Sequence, residues 1–135
     1  MIIDASVALR WFLNEPGAAD AADVFSQGAA PVAPDLVLVE IANGLWAAAR
    51  RHRIDEATAR AQLAATPHLF GELRSSEVLA PRAFEIARAL DHPIYDCLYL
   101  AMAEIERMPL ITVDARLQKA VTGTPWRNLV SVLTL

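Results

Sequence analysis

Residues 108–114 read MPLITVD and residues 1–4 read MIID. Each is a short apolar run that ends on an aspartate, and each passes straight into a helical pattern: ARLQKAV (115–121) after the first, SVALRWFL (6–13) after the second. An apolar run without alternation suits a strand covered on both faces. The same grammar continues along the chain. PVAP (31–34), SEVLA (76–80) and NLVSVLTL (128–135) read as further strands. NEPG (14–17) breaks the first helix, and AADAADVFSQG (18–28) forms a second, stopped by Gly28. Asp35 caps a long helix to Arg51, and Asp55 caps DEATARAQLAATPHLF (55–70), disturbed by Pro67. Pro81 opens the helix PRAFEIARALD (81–91), and HPIYDCLYLAMAEIER (92–107) is the next. Strands alternating with helices make an α/β fold: a mainly parallel central sheet with helices on both faces. Ligands of such sheets sit beyond the carboxyl ends of the strands, near a topological switch point.

No repeat, linker or low-complexity segment interrupts this pattern, so residues 1–135 are expected to form a single domain. Hydrophobic residues make up 55% of the chain and charged residues 21%, which excludes a disordered polypeptide. The most apolar stretch, LVLVEIANGLWAAA (36–49), is interrupted by Glu40 and Asn43, so no membrane span is expected. No basic segment precedes an apolar one at the start, which argues against a secretory signal. A single thiol, Cys97, fits the reducing cytoplasm. The net charge of −4 argues against simple coating of a nucleic-acid backbone as the whole function. Eleven of the twelve basic residues are Arg, which points to coding bias and carries no mechanistic weight.

The acids are what a structural protein does not explain. Asp4 and Asp114 both leave the carboxyl end of a strand just before a helix; either alone reads equally well as an N-cap. Glu40 sits in a helix that is apolar almost all round, where an unpaired carboxylate costs several kcal/mol. A buried ion pair to an Arg would also account for it, and Asn43, three residues on, could support it. Asp96 lies in the first turn of YDCLYLAMA (95–103), where a helix N-terminus alone would welcome its charge. Converging carboxylates repel one another unless a hard cation sits among them. Mg²⁺ accepts a few carboxylates and keeps its waters, and Mn²⁺ suits the same ligands. His52, His68 and His92 are widely spaced and Cys97 has no CxxC partner, so a zinc site is not expected. No GxxxxGK[ST], GxGxxG or GxSxG occurs, which removes nucleotide cofactors and an α/β-hydrolase elbow.

Four pieces, IIDASV (2–7), LVLVEIANGLW (36–46), YDCLYLAMA (95–103) and LITVDARL (110–117), stand in an order and spacing that resembles PIN-domain ribonucleases, most closely the VapC-type toxins of bacterial toxin–antitoxin pairs. That resemblance spans nearly the whole chain. It implies a three-layer α/β/α sandwich and an acidic pocket for Mg²⁺ or Mn²⁺. The pocket acids carry over to Asp4, Glu40, Asp96 and Asp114, with Asp4, Asp96 and Asp114 as metal ligands. Ser6 and Thr112 match small polar positions beside the first and last acids, and Asn43 a position supporting the second. The implied activity is endoribonucleolytic cleavage of structured RNA, of the transfer or ribosomal RNA class. The implied partners are a cognate antitoxin and a second copy of the chain.

An acidic pocket repels RNA, so cations must hold the phosphates. Arg10 and Arg116 are candidates by their nearness to Asp4 and Asp114. Arg50 and Arg51, with His52 and Arg53, end the long helix and would serve equally well as a solvated helix terminus. Trp11, Phe12, Trp46 and Phe70 fall where apolar surface could remain for an antitoxin, or could simply pack in the core. Two other functions compete: a non-catalytic PIN-like binding module, and a phosphoacceptor signalling domain, which also gathers Asp around Mg²⁺. The second needs a Lys at the end of a late strand, and Lys119, the one Lys, lies in a helix.

Overall fold

The computed structural model describes residues 1–133. Five short strands, β1 (Ile2–Ile3), β2 (Val32–Pro34), β3 (Glu72–Arg74), β4 (Leu110–Thr112) and β5 (Val130–Val132), form one sheet in the order β3-β2-β1-β4-β5. Every pairing is parallel, with Ile2 opposite Val32 on one side and Leu110 on the other. The chain winds from β1 outward through β2 to β3, then crosses back to β4 and β5. The switch point therefore lies between β1 and β4.

Seven helices connect the strands: α1 (Ala5–Phe12), α2 (Ala18–Ser26), α3 (Leu36–Arg50), α4 (Glu56–Ala65), α5 (Ser76–Leu90), α6 (Ile94–Glu106) and α7 (Ala115–Val121). The period-2 geometry of a strand splits β1 between two cores. Ile2 joins the larger one, with Ile41, Leu45, Leu79, Ile86 and Leu100 from α3, α5 and α6. Ile3 joins a smaller one with Val7 and Ala21, against which Trp11 and Phe25 pack. Both isoleucines are completely buried, as an unbroken apolar run requires.

Two sequence expectations need correction. SEVLA is not a strand: β3 is the preceding ELR, and Ser76–Ala80 form the first turns of α5. Ser75 caps this helix, its hydroxyl accepting from the Glu77 N–H at 3.2 Å. Leu79, Ala83 and Ile86 are buried at helical spacing, whereas Val78 faces solvent. Pro81 thus lies inside the helix, where it removes only the one N–H that would reach the Glu77 carbonyl. The last strand is Val130–Val132, and residues 134–135 of the expected strand lie outside the described residues. The second correction concerns α3, whose apolar sequence does not mean all-round burial. Val39 and Trp46 are 65% and 58% exposed on the side away from Val37, Ile41 and Leu45.

Candidate active site

Asp4 follows β1 and Asp114 follows β4, so the parallel pairing of these strands sets the two acids side by side beyond their carboxyl ends. Asp4 caps α1 and Asp114 caps α7. The capping reading therefore holds for both, and it does not keep either acid from lining a cleft. A cleft of about 320 Å³ opens here, lined by Asp4, Ser6, Glu40, Asn43, Asp96 and Asp114, with Tyr99 and Arg116. The acids come from four places: the ends of β1 and β4, the second turn of α3 and the first turn of α6. Gly44 lets α1 and α3 close on one another at this wall, since a Cβ there would collide with the Leu9 side chain.

Asp4 is the most enclosed of the four acids, and its hydrogen bonds are fully directed. The Ser6 N–H donates to Asp4 Oδ1 at 3.0 Å. The Ser6 hydroxyl also donates to Oδ1, and the Thr112 hydroxyl donates to Oδ2. Both hydroxyls are themselves held by backbone N–H groups, Ser6 Oγ by Val113 at 3.2 Å and Thr112 Oγ1 by Asp114 at 2.9 Å. Each hydroxyl has one proton, and accepting from the backbone leaves that proton aimed at Asp4.

Burial pushes the Asp4 carboxyl up to about 6; the bonds from Ser6 and Thr112 oppose this and the charge of Asp96 adds to it. Glu40 is also raised, first by burial, opposed by a 2.6 Å hydrogen bond from the Tyr99 hydroxyl, and then by the charges of Asp4 and Asp96. Asp114 moves the other way. Hydrogen bonds from Arg116, at 3.0 and 3.1 Å from the guanidinium and 2.8 Å from the N–H, hold it below the usual carboxylate range.

The PIN domain family model matches residues 1–122. The chain belongs to the PIN domain family. A relative named Ribonuclease VapC1, from Mycobacterium tuberculosis, is 37% identical over 95 residues, covering 69% of this chain and 68% of its own. The crystal structure of PAE2754 from Pyrobaculum aerophilum superposes with a TM-score of 0.69 at 26% identity, over 91% of this chain and 86% of that one. A toxin–antitoxin complex from Klebsiella pneumoniae shares the fold, with a TM-score of 0.65 at 20% identity over 98% and 95% of the two chains.

Two residues of this PIN domain's pocket region escaped the sequence reading. Tyr99 lies three residues after Asp96 on α6, so the same helix face carries both, and that spacing was the available signal. His92 precedes α6 and sets Nε2 2.6 Å from Asp96 Oδ2; its four-residue spacing from Asp96 was a signal too. The proposed basic contacts divide. Arg116 lines the cleft but is engaged with Asp114. The structure does not bring Arg10 to the cleft, because its guanidinium donates to the Pro16 carbonyl at 3.0 Å and so closes the α1–α2 turn. Arg50 and Arg51 stand at the far end of α3. Of the four aromatic residues, Phe70 is buried, Trp11 and Phe12 are half-buried and stack on one another, and Trp46 is exposed.

Among the described residues, no three His, Cys, Asp or Glu side chains approach closely enough to form a ready-made metal cluster. The acids surround the cleft instead of meeting in it. An all-oxygen donor set with space between carboxylates fits a hard cation that takes a few carboxylates, in part through the waters it keeps. No helix among the described residues is long and apolar enough to cross a membrane.

Proposed function

We propose that this PIN domain is a metal-dependent endoribonuclease, a toxin that cuts structured RNA of the transfer or ribosomal class and is silenced by a cognate antitoxin. One observation carries the reading: Asp4, Glu40, Asp96 and Asp114 line one cleft at the switch point of a parallel sheet. Asp4, Asp96 and Asp114 would hold Mg²⁺ or Mn²⁺. When bound, such an ion supplies a more acidic water and offsets charge on the phosphate oxygens. Ser6 and Thr112 fix the Asp4 carboxylate in place. Glu40, steadied by Tyr99, orients the attacking water, and Asn43 lies beside it at the cleft mouth. Arg116 supplies the cation that meets the incoming phosphate, sharing its guanidinium with Asp114.

The partners follow from surface and compartment. Val78, Phe84, Tyr95 and Ile105 expose apolar surface on α5 and α6, which suits an antitoxin or a second copy in a homodimer. The single, buried Cys97 suits the cytoplasm. The phosphoacceptor alternative is disfavoured because Lys119 is exposed on α7 and is not among the residues lining the cleft.

The test is cleavage of transfer RNA, ribosomal RNA and an unstructured control with Mg²⁺, with Mn²⁺ and in chelator, for wild type and Asp4→Asn. Cleavage should need the metal and vanish in the variant while its fold, read by circular dichroism, persists. RNA that is bound but uncut under every metal condition would make the chain a binding module.

A further inference from the structure

We infer that the solvent face of α3 beyond the acidic cleft is a base-stacking subsite, with Trp46 as the platform for an unpaired nucleobase and Arg50 and Arg51 as contacts for its flanking phosphates. This rests on the ribonuclease reading and specifies the substrate: RNA with at least one unstacked base within a few nucleotides of the scissile bond.

Trp46 is the largest aromatic side chain left exposed on the described surface, at 58%. A tryptophan at a solvent-facing position forgoes most of the benefit of burial, so it needs an account. Its neighbours provide one. The Arg50 guanidinium lies over the indole, 5.4 Å from the ring centroid. Clefts of about 370 and 450 Å³ flank the ring, the first lined by Trp46, Ala47, Arg50 and Arg51. Arg53 and Arg60 are paired with Glu15 and Glu56, but among the described residues no carboxylate reaches Arg50 or Arg51. Two unneutralised guanidinium groups beside an exposed indole, on a protein of net charge −4, select a polyanion with flat faces. Single-stranded RNA has both properties: its bases stack on aromatic rings and on arginine planes.

The position along the helix supports the same occupant. Glu40 and Asn43 line the acidic cleft, and Trp46 is three residues beyond Asn43 on the neighbouring exposed surface. Trp46 is six residues after Glu40 on the helix, about 9 Å along the axis. A strand threading the cleft would therefore reach the indole within a few nucleotides. In the acidic cleft Arg116 is shared with Asp114, and this is the nearest place on α3 where two unpaired cations can hold the backbone.

The experiment measures binding of a short single-stranded RNA in chelator, where no cut occurs, by tryptophan quenching and by anisotropy of a labelled strand. Wild type should show quenching that Trp46→Ala removes, with affinity roughly 5- to 150-fold weaker. Trp46→Phe should recover part of the affinity. Removing one base from the RNA should weaken wild type but leave Trp46→Ala unaffected at that position. Arg50→Ala should weaken binding and reduce its salt dependence. Equal affinity of wild type and Trp46→Ala overturns the inference. So does Trp46→Ala that changes only the oligomeric state in sedimentation, or only affinity for an antitoxin, which would give this face to a protein partner. If RNA binds with quenching but no metal supports cleavage, the ribonuclease reading fails and the subsite stands. If RNA is cut without involvement of Trp46, the subsite fails and the ribonuclease stands; if no RNA is bound, both fail.

Discussion

The Tyr99 hydroxyl donates to Glu40 Oε1 across 2.6 Å, tying α6 to α3 at the wall of the acidic cleft. Tyr99 is almost completely buried, and its own ionisation is pushed well above the usual range by that burial and by the charge of Glu40. It is therefore a fixed proton donor that holds one orientation of the Glu40 carboxylate.

Tyr99→Phe should leave the fold intact and cost about 1.5–3 kcal/mol of stability, the range for a hydrogen bond to a charged group. The bond opposes the upward displacement of the Glu40 carboxyl, so its loss should move that group further up. RNA cleavage should fall about tenfold or more, which is about 1.4 kcal/mol of barrier, and its acid limb should move to higher pH. A variant with an unchanged pH–rate profile would mean that Glu40 needs no support from Tyr99.

The Asp4 carboxyl stands at about 6 against an ordinary 3.8. Folding therefore favours its protonated form. That contribution is complete below about 3.8, and it is lost as pH rises through about 6. The difference corresponds to about 3 kcal/mol. Urea unfolding of wild type and Asp4→Asn in chelator between about pH 4 and 7 reads this contribution together with the smaller relief the substitution gives Glu40. The stability difference should swing toward the variant by roughly that amount as pH rises. A constant difference would show that the Asp4 charge is not strained.

Asp114 should behave in the opposite way, because Arg116 already relieves it. Its folded form is favoured charged, so its contribution is present above the ordinary carboxylate value and is lost as pH falls. Asp114→Ala removes the cap of α7 and should cost about 1 kcal/mol in chelator near neutral pH. The Arg116 pair adds little, since that guanidinium is 89% exposed. A thermal melt that rises on this substitution would place Asp114 among the strained acids after all.

These two aspartates also show what the sequence makes legible. An acid directly after an apolar run leaves a strand end, and the parallel pairing of β1 and β4 then sets Asp4 and Asp114 on one cleft. Glu40 stood out for a weaker reason. Its helix reads as apolar all round, yet the structure exposes Val39 and Trp46, so surplus apolar character there marks surface as well as core. SEVLA misleads because five residues do not separate a period of two from one of 3.6; the Ser75 cap decides it. Sequence distance alone puts Arg10 near the cleft, and only the turn geometry at Pro16 shows where its side chain goes. The Tyr99–Glu40 bond joins residues 59 apart, so its partner was beyond any local pattern.

Thr112 offers the most direct test of how Asp4 is held. Its side chain is completely buried, and its hydroxyl accepts from the Asp114 N–H at 2.9 Å while donating to Asp4 Oδ2. One hydroxyl thus joins the two acids at the ends of β1 and β4. Thr112→Val keeps the shape but removes both bonds, leaving a backbone donor and a carboxylate oxygen without partners. That should cost about 1–3 kcal/mol. It should also raise the Asp4 carboxyl further, because the Thr112 bond works against burial. Thr112→Ser keeps the hydroxyl and loses only a methyl group, so it should cost about 1 kcal/mol and leave the Asp4 titration where it was. The two variants separate packing from polarity at one site. The readouts are urea unfolding in chelator and the stability-versus-pH curve of each protein. If Val costs little, Ser costs about 1 kcal/mol and neither changes the pH dependence, Thr112 only fills space, and Asp4 is positioned by Ser6 alone.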